Sequence, residues 1–313
     1  MGKVAVLIAS YNGEKYITEQ IESIRKQVGV ELDIFLQDDC SKDNTVAISR
    51  NFLSDGNIKV NSSPTGSAAN NFFLMVKEFK QIDEYEYFAF ADQDDIWLPH
   101  KLQKAITQLE QKQASLYFSN LLIWDTEDDS KSLLKKDFGQ KKYDYLFEGG
   151  SAGCTYVFTK DFLKILRDKL YATNYRDWKD FSHDWFTYFV ARIKGLPVVN
   201  SSDTEIMYRI HGDNVHGQLN TVNLQSIVSR LKMIRSGWFI NNAVGFAKCV
   251  SKNSEEFLIY KKYCKNFFTR FSVLYQHRFQ LIRSKRKFVQ FFALSLFLTP
   301  YLSKQEFHEH FCN

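Results

Sequence analysis

The sequence predicts an α/β fold in which a mostly parallel sheet is flanked by helices. Residues 3–9 (KVAVLIA) and 85–91 (YEYFAFA) are largely apolar runs, which are typical of strands buried inside a parallel sheet. Segments with helical spacing, such as 15–27 and 70–79, alternate with these runs, as they do in α/β proteins. Polar clusters follow three of the predicted strands. Because ligands of such sheets bind beyond the carboxyl ends of the strands, the clusters predict one common site.

The predicted elements alternate along the chain as far as residue 210. Asn12-Gly13 ends the first strand, and Ser41 or Asp43 supplies an N-cap for the second helix. Residues 125–142 are polar and are predicted to form a loop. The predicted strands are 3–9, 31–37, 57–61, 85–91, 114–124, 154–159, 197–200 and 205–210, and the predicted helices are 15–27, 45–53, 70–79, 100–112 and 180–193.

The charge distribution predicts two parts with different partners. Residues 225–313 contain 15 Lys/Arg and 4 Asp/Glu, a net charge of +11, whereas the preceding residues contain 26 and 32, a net charge of −6. We therefore expect an acidic α/β domain at 1–220 and a basic, aromatic-rich helical region at 221–313. The acidic part suits a cation, and the basic part suits an anionic surface.

The cysteines and the apolar runs bear on the compartment. Five cysteines without a C-x-x-C pair indicate reduced thiols, not a disulfide framework or a zinc site. The apolar run at 4–9 is too short for a signal peptide, and no run reaches the roughly 18 residues of a spanning helix. We expect a cytoplasmic protein that could also lie peripherally on the inner face of the plasma membrane.

The stretch FADQDDIW, residues 90–97, places Asp92, Asp94 and Asp95 at the end of a predicted buried strand. Clustered carboxylates raise one another's pKa, so they need a cation or access to water. Mg²⁺ and Mn²⁺ prefer carboxylate oxygens. The alternative is a solvated acidic turn that caps the following helix. Asp38-Asp39 ends another predicted strand, and these further acids favour the cation interpretation. A carboxylate at that strand end could also accept a hydrogen bond from a nucleotide base or ribose.

Six motifs follow one another along the chain: SYNGEKYI, DDCSKDNT, the segment 66–72, ADQDDIW, HDWF and YRIHGDN. In this order they resemble family 2 glycosyltransferases of the GT-A fold, and most of all their bacterial rhamnosyltransferase-like branch. The resemblance covers residues 3–217. It also assigns the nucleotide-sugar-binding and catalytic role to the domain at 1–220. The resemblance implies an inverting transferase with a nucleotide-diphosphate sugar donor and Mn²⁺ or Mg²⁺ as cofactor.

The resemblance also implies a role for each matching residue. Asp184 would be the general base, and Asp94 and His211 would bind the metal. Asp92 would lie near the ribose or metal, and Asp95 near the sugar. The residues expected to contact the nucleotide part of the donor are Ser10, Tyr11, Glu14, Asp38 and Asp39. Cys40 stands where glycine is frequent, which leaves the tightness of this turn open.

Simpler roles compete with these. Asp184 could only cap its helix, with His183 on the surface, and His211 could be a turn residue.

The C-terminal aromatics interleave with cations, and 288–298 could dip into an anionic membrane surface. The alternatives are an ordinary helical core or a homodimer face. No nucleic-acid partner is expected, because no recognised binding motif accompanies the charge.

We expect transfer of L-rhamnose from dTDP-rhamnose to a lipid-linked or growing surface polysaccharide. A UDP-galactose- or UDP-glucose-dependent transferase of capsule or cell-wall assembly is the alternative enzyme, because Asp39 would suit thymine and uracil alike. A non-catalytic nucleotide-sugar or glycan-binding module, and a membrane scaffold that works through its basic tail, are alternatives of other classes. The intact Asp94, Asp184 and His211 argue against a non-catalytic module.

Overall fold

The computed structural model describes residues 2–210 and 224–312, with the side chains of the second range given from residue 227. The chain divides into two compact units. The N-terminal unit comprises Met1–Asp137, Gly150–Ala172 and Ser182–His211, and the C-terminal unit comprises Phe138–Gly149, Thr173–Phe181 and Gly212–Asn313. The segments 138–149 and 173–181 thus pack with the C-terminal unit, although the sequence places them in the predicted domain 1–220.

A mostly parallel sheet forms the centre of the N-terminal unit, as predicted. Its strands are β1 (Val4–Ser10), β2 (Leu32–Asp38), β3 (Ile58–Val60), β4 (Tyr87–Ala91), β6 (Leu116–Ser119), β9 (Val157–Thr159) and β10 (Val198–Ser201). A smaller sheet contains β5 (Ile96–Trp97), β7 (Leu121–Asp125), β8 (Lys131–Leu134) and β11 (Ile206–Ile210). Among the described residues the order of the central sheet is β10-β6-β9-β4-β1-β2-β3. Within this order β9 is antiparallel to β4 and β6, and the other neighbours pair in parallel.

The register of the central strands brings their carboxyl ends to one level. All seven residues of β1 are buried, as expected for the run VAVLIAS. Ser10 at its end pairs with Asp38 of β2, and Ile8 pairs with Ala91 of β4. The polar residues that follow these three strands therefore emerge at the same edge of the sheet.

The smaller sheet, of order β5-β11-β7-β8 among the described residues, supports that edge. Trp97 of β5 pairs with Ile206 of β11, so the turn after β4 is fixed next to β11. The predicted strand 114–124 proves to be two strands, β6 and β7, which belong to different sheets. The break at Asn120 is stabilised by its side chain, which donates to Ser202 O at 3.1 Å. The polar segment predicted as a loop contains β8.

Helices cover the sheet at positions close to those predicted. They are α1 (Ile17–Arg25), α2 (Thr45–Ser49), α3 (Ala68–Glu78), α4 (Lys101–Gln111), α5 (Lys160–Tyr171) and α6 (His183–Ile193). The sequence interpretation omitted α5, whose buried Phe162, Leu163, Leu166 and Leu170 have helical spacing. Side chains of Ser67, Thr159 and Ser182 accept backbone N–H bonds at the first turns of α3, α5 and α6.

The C-terminal unit is helical, as predicted. Its helices are α7 (Leu224–Arg235), α8 (Trp238–Ala247), α9 (Glu255–Lys265), α10 (Phe267–Gln276), α11 (Lys285–Phe297) and α12 (Lys304–Phe311). Phe147, from the segment 138–149, packs on Tyr263 and Phe291 with ring centroids 4.9 and 5.1 Å apart. This aromatic packing explains why a segment distant in sequence joins the unit. Across the part of the chain that is described, no helix has the length and hydrophobicity needed to cross a bilayer.

Candidate active site

The loops after β1 and β2 are joined by hydrogen bonds. Asn12 N donates to Ser41 Oγ at 2.8 Å, and Gly13 N donates to Thr45 Oγ1 at 2.7 Å. Asn44 donates to Glu14 Oε2 through both its backbone and its side-chain nitrogen, at 3.0 Å each. Glu14 therefore connects the two loops, and its predicted contact with the nucleotide stays a prediction.

Asp38 lies inside these loops. Its side chain is fully buried, and its Oδ2 accepts from Ser10 Oγ at 2.8 Å and from Ser41 Oγ at 2.5 Å. Its Oδ1 accepts from Ser41 N at 2.7 Å. Both oxygens are engaged with the protein, so Asp38 shapes the loop and reaches a donor only through its neighbours. The same holds for the side chain of Ser10, which donates inward.

Asp39 lies closer to the surface and has a different set of donors. Its Oδ1 accepts from Asn61 Nδ2 at 2.9 Å and from Thr65 N at 2.7 Å, and its Oδ2 accepts from Thr65 Oγ1 at 2.9 Å. Asn61 is held in turn by Gln37 and Asn71, at 2.9 and 3.0 Å. This buried amide network fixes the carboxylate that the sequence assigned to the base. Sequence reasoning missed Asn61 and Thr65, because nothing in their local sequence distinguishes them.

Cys40 answers the question raised by the missing glycine. Its φ is 65°, in the left-handed region that glycine adopts without steric cost. Its Sγ donates to Asn61 O at 3.1 Å, which offsets part of that cost. Cys40 therefore has the φ angle that a glycine would adopt in this turn.

Gln93 connects the first loop to the acidic turn at 92–95. Its Oε1 accepts from Tyr11 N at 2.8 Å, and its Nε2 donates to Tyr11 O at 3.0 Å. A Cβ at Gly13 would stand 2.3 Å from Gln93 Oε1, so any other residue at 13 would displace the Gln93 amide from this position. The sequence analysis did not predict a role for Gln93, because the acids on either side of it carried the recognisable pattern. The ring of Tyr11 is 50% exposed and is available to a ligand.

Arg209 supports the acidic turn from β11. Its Nε donates to Asp94 O at 3.0 Å, and its guanidinium forms an ion pair with Glu19. The same group lies over the rings of Tyr16 and Trp124, 4.9 and 4.8 Å from their centroids. Since the side chain is buried, this contact orders the backbone of the turn.

The turn holds one buried acid that lacks a strong protein partner. Ligand atoms of Asp92, Asp95 and Cys154 lie within 4.8 Å of one another. Asp95 is 1% exposed, and among the described residues neither of its oxygens accepts a hydrogen bond of good geometry. The nearby Cys154 thiol and the Arg209 backbone N–H are its weak partners, and both act to lower its pKa. Burial, followed by the charges of Asp94 and Asp92, raises the pKa of Asp95 well above its ordinary value.

Asp92 connects this turn to α6. Burial, followed by the negative charges of Asp94 and Asp184, raises the pKa of Asp92 to about 7. Asp184 is thus close enough to the turn to act on its charge. Asp92 and Asp94 are half-buried, so both can meet a ligand from solvent.

Lys101, at the start of α4, is a buried cation beside the acids. Its side chain is 2% exposed, and its Nζ lies 3.5 Å from the centroid of the Trp97 ring. Among the described residues no group accepts a hydrogen bond from Nζ. Burial lowers the pKa of Lys101 to about 7, against the opposing influence of Cys154 and Asp95. Sequence reasoning missed this residue.

Asp184 lies in the first turn of α6. Its Oδ1 accepts from Trp185 N at 2.6 Å and from the Ser182 hydroxyl. His183 packs inward and stacks on Phe72 with ring centroids 4.3 Å apart, so it is not the surface residue of the simpler interpretation. A Cβ at Gly153 would stand 2.1 Å from His183 Nε2, so the absence of a side chain there makes room for the imidazole.

The structure brings together most of the predicted site. The acidic turn, the first loop and Asp184 are connected through Gln93 and through the electrostatic influence of Asp184 on Asp92. Asp95 points into the protein, so in this arrangement it acts on the site through its charge. His211 lies outside the described residues.

The sequence of this chain is similar to those of known enzymes. Residues 5–170 match the model of the family described as Glycosyl transferase family 2. The chain belongs to glycosyl transferase family 2. It is 33% identical over 252 residues to the dTDP-rhamnosyl transferase RfbG of Shigella flexneri, covering 79% of this chain and 86% of that protein. This family 2 chain is therefore a glycosyltransferase, as predicted.

Other relatives agree with this assignment. The chain is 30% identical over 159 residues to the Escherichia coli enzyme UDP-Glc:alpha-D-GlcNAc-diphosphoundecaprenol beta-1,3-glucosyltransferase WfgD, covering 49% of this chain and 58% of that one. Among solved structures, S. aureus TarS 1–349 in complex with UDP matches with a TM-score of 0.53 and 18% identity, covering 88% of this chain and 71% of that one. The structural match confirms the predicted GT-A fold.

Proposed function

We propose that this family 2 glycosyltransferase transfers L-rhamnose from dTDP-rhamnose, with inversion, to a lipid-linked or growing surface polysaccharide. One observation carries the proposal of a catalytic site: the charge of Asp184 on α6 acts on Asp92 in the acidic turn. The proposed base and the acidic turn would thus share one site. The donor is proposed from the likeness to RfbG, and Asp39 suits the N–H of a thymine base.

The nucleotide would lie over the loops after β1 and β2. The exposed Tyr11 ring offers a surface for the base, and Asp39 Oδ2 offers an acceptor. In the present arrangement Thr65 donates to Asp39 with both its backbone N–H and its hydroxyl, where a base would also donate. Thr65 would therefore share Asp39 with the base or yield to it. Asp38 and Ser10 would hold the loop that presents these groups.

The donor set of the acidic turn fits a hard divalent cation. Asp95 is buried without a strong protein donor, and the pKa of both Asp92 and Asp95 is raised, so a nearby divalent charge would stabilise both carboxylates. Asp94 and Asp92 would hold Mn²⁺ or Mg²⁺, with Asp95 behind them, and His211 is proposed as a further ligand. The ion, when bound, offsets the charge that develops on the leaving diphosphate.

Asp184 would take the proton of the acceptor hydroxyl as that oxygen attacks the anomeric carbon. Trp185 N and the Ser182 hydroxyl both bind Oδ1, which holds the carboxylate in one orientation. Oδ2 is the oxygen proposed to receive the proton. A general base of this kind contributes about 10²–10⁴-fold to the rate.

A glucosyl or galactosyl donor is the competing proposal, because WfgD is named as a UDP-Glc-dependent enzyme. The name of WfgD includes a diphosphoundecaprenol acceptor, which supports a lipid-linked acceptor for this chain as well. A non-catalytic glycan-binding module is the competing proposal from another class. Turnover separates these three.

The test is release of nucleoside diphosphate from dTDP-rhamnose, UDP-glucose and UDP-galactose, with Mn²⁺, with Mg²⁺ and with EDTA. We expect selective release from dTDP-rhamnose that needs the divalent cation. Asp94→Ala should abolish it, and Asp184→Asn should lower it by about 10²–10⁴-fold. Asp168→Asn, an exposed carboxylate of α5, is the matched control and should have the wild-type rate.

The outcomes separate the alternatives. Release from UDP-glucose or UDP-galactose in place of dTDP-rhamnose would replace the donor and keep the enzyme. Equal rates for Asp184→Asn and Asp168→Asn would remove Asp184 as the base. If no donor is consumed, with a lipid-linked saccharide acceptor added or without it, the binding module becomes the better account.

A further inference from the structure

The exposed face of α10 carries a row of aromatic side chains. Phe268, Phe271, Tyr275 and, just beyond the helix, Phe279 follow one another at intervals of three or four residues. Phe268 is 81% exposed and Phe279 is 64% exposed. Side chains with this spacing lie on one face of a helix. We call this row the aromatic face of α10.

The neighbouring helix α11 extends the aromatic face. Phe292 of α11 meets Phe271 edge to face, with ring centroids 5.9 Å apart, and Phe288 lies 5.8 Å from Phe292. Phe291 and Leu296 point the other way and are buried in the unit. Only part of 288–298 is therefore available to a membrane, and α10 supplies the larger exposed surface.

Positive charge surrounds the aromatic face without any acid in the same stretch. Residues 257–305 contain ten Lys/Arg and no Asp/Glu. Arg278 lies over the rings of Tyr275 and Phe279, 4.5 and 4.9 Å from their centroids. Lys285 and Arg286 are exposed at the start of α11, next to Phe288. Two of the ten, Arg270 and Arg283, are buried and bonded within the unit, so they do not belong to the surface.

Charge decides which partner this surface fits. A second copy of the chain would bring the same cations against one another, which disfavours a symmetric dimer through this face. Exposed aromatic rings flanked by Lys and Arg are instead typical of helices that lie in the headgroup region of anionic bilayers. Such helices enter about 5–10 Å and do not span.

We propose that the aromatic face of α10, with the cations at the start of α11, docks on an anionic lipid bilayer. The proposal is independent of the donor and of the proposed base, because none of these residues belongs to the candidate active site. It concerns the C-terminal unit alone.

The test is co-sedimentation of the full chain with vesicles of phosphatidylcholine alone, or with about one third phosphatidylglycerol. We expect binding to the anionic vesicles only, weakened at high salt because surface charge is screened. Each cation contributes roughly fivefold, so Lys285→Gln/Arg286→Gln should weaken binding about 25-fold. Phe268→Ser/Phe279→Ser should weaken it by roughly tenfold or more.

Matched controls come from the N-terminal unit. Lys112→Gln/Lys194→Gln removes two exposed cations, and Leu133→Ser removes an exposed apolar side chain. Both should bind vesicles as the wild type does. Circular dichroism and thermal unfolding of each variant exclude loss of the fold as the cause.

Three results would overturn the proposal. They are no binding of the wild type to anionic vesicles, equal binding to both vesicle types, and equal binding by the α10 variants and the controls. Sedimentation equilibrium without lipid adds a fourth: a wild-type dimer that Phe268→Ser/Phe279→Ser converts to monomer would assign the face to a second copy instead.

Discussion

The two units contain buried charges in opposite environments. Arg270 in the C-terminal unit is fully buried and donates to the carbonyls of Tyr263, Ser295, Thr299 and Pro300 at 2.7–2.8 Å. In the N-terminal unit, Asp95 and Lys101 are almost as deeply buried, and among the described residues neither side chain has a strong hydrogen-bond partner. Arg270 is satisfied by the protein, whereas Asp95 and Lys101 are not, although Asp38 in their own unit is.

Arg283 extends the contrast. It is buried in the C-terminal unit, where it donates to Glu148 Oε1 at 3.1 Å and to Gly149 O at 2.5 Å. These bonds attach the segment 138–149 to the helices that follow 224. The two arginines thus hold together parts of the chain that are distant in sequence.

The difference teaches what each buried charge is for. An unpaired buried ion costs several kcal/mol, so it persists only where another requirement outweighs stability. Such requirements are usual at functional sites. Arg270 and Arg283 are structural, whereas Asp92 belongs to the proposed cation site, and Asp95 and Lys101 are buried beside it.

The largest expected effect comes from breaking the satisfied network. Arg270→Met removes four hydrogen bonds and leaves four carbonyls buried, so we expect a loss of about 3–5 kcal/mol in the free energy of unfolding. Urea denaturation followed by circular dichroism measures it. Arg230→Met, an exposed cation of α7, is the control and should change stability by less than about 0.5 kcal/mol. Equal effects of the two substitutions would remove the structural role of Arg270.

Adding a divalent cation should stabilise the N-terminal unit. Mn²⁺ at about 100 times its dissociation constant would add about 2.7 kcal/mol, measured as a rise in Tm. The gain should be larger at pH 8 than at pH 5.5. The pKa of Asp92 is raised to about 7, so at pH 5.5 a proton competes with the ion. Asp94→Ala should remove the gain, and a pH-independent gain that survives this substitution would contradict the proposed site.

Removing the unsatisfied cation should have the opposite sign from removing Arg270. Lys101→Met keeps the apolar stem and deletes a buried charge, so we expect unchanged or higher stability, by about 1–2 kcal/mol. The pKa of Lys101 is lowered to about 7, so between pH 7 and 10.5 the unfolded chain binds the extra proton. The free energy of unfolding of the wild type should therefore rise over this window, and the rise should be missing in Lys101→Met. Strong destabilisation by Lys101→Met would show that the ammonium has a structural partner.

The smallest expected effect concerns the turn at Cys40. Cys40→Ala keeps a side chain at φ 65°, whereas Cys40→Gly removes the steric cost of that conformation. We expect Cys40→Gly to be more stable than Cys40→Ala by about 1 kcal/mol in thermal unfolding, reduced by the larger entropy of glycine in the unfolded chain. The reverse order would mean that the turn is not under strain.

The sequence was sufficient for the fold class and for the acids of the site. Buried strands such as β1 and β4 show as apolar runs, and Asp38-Asp39 and Asp92–Asp95 follow strands directly, so pattern and position predicted them. The helix α5 was also readable from its apolar spacing. These features depend on neighbours within a few residues of one another.

The remaining features depend on contacts between distant elements. Gln93 acquires its role from Tyr11, which follows β1, and Asn61 acquires its role from Asp39, which follows β2. Lys101 is a cation on the otherwise apolar, buried face of α4. This interruption of the apolar spacing is the one local signal of its burial. Strand order decides such pairings, and no periodicity along the chain specifies it.

The central claim is that Asp184 and the acidic turn form one catalytic site. Its most direct test is calorimetric titration of dTDP-rhamnose into the wild type and into Asp184→Asn, each with Mn²⁺. Turnover of the same two proteins is measured alongside. We predict binding to both within about threefold, with turnover lost by about 10²–10⁴-fold in Asp184→Asn alone. Wild-type chain that binds none of the nucleotide sugars, or an Asp184→Asn variant that turns over at the wild-type rate, would contradict the claim.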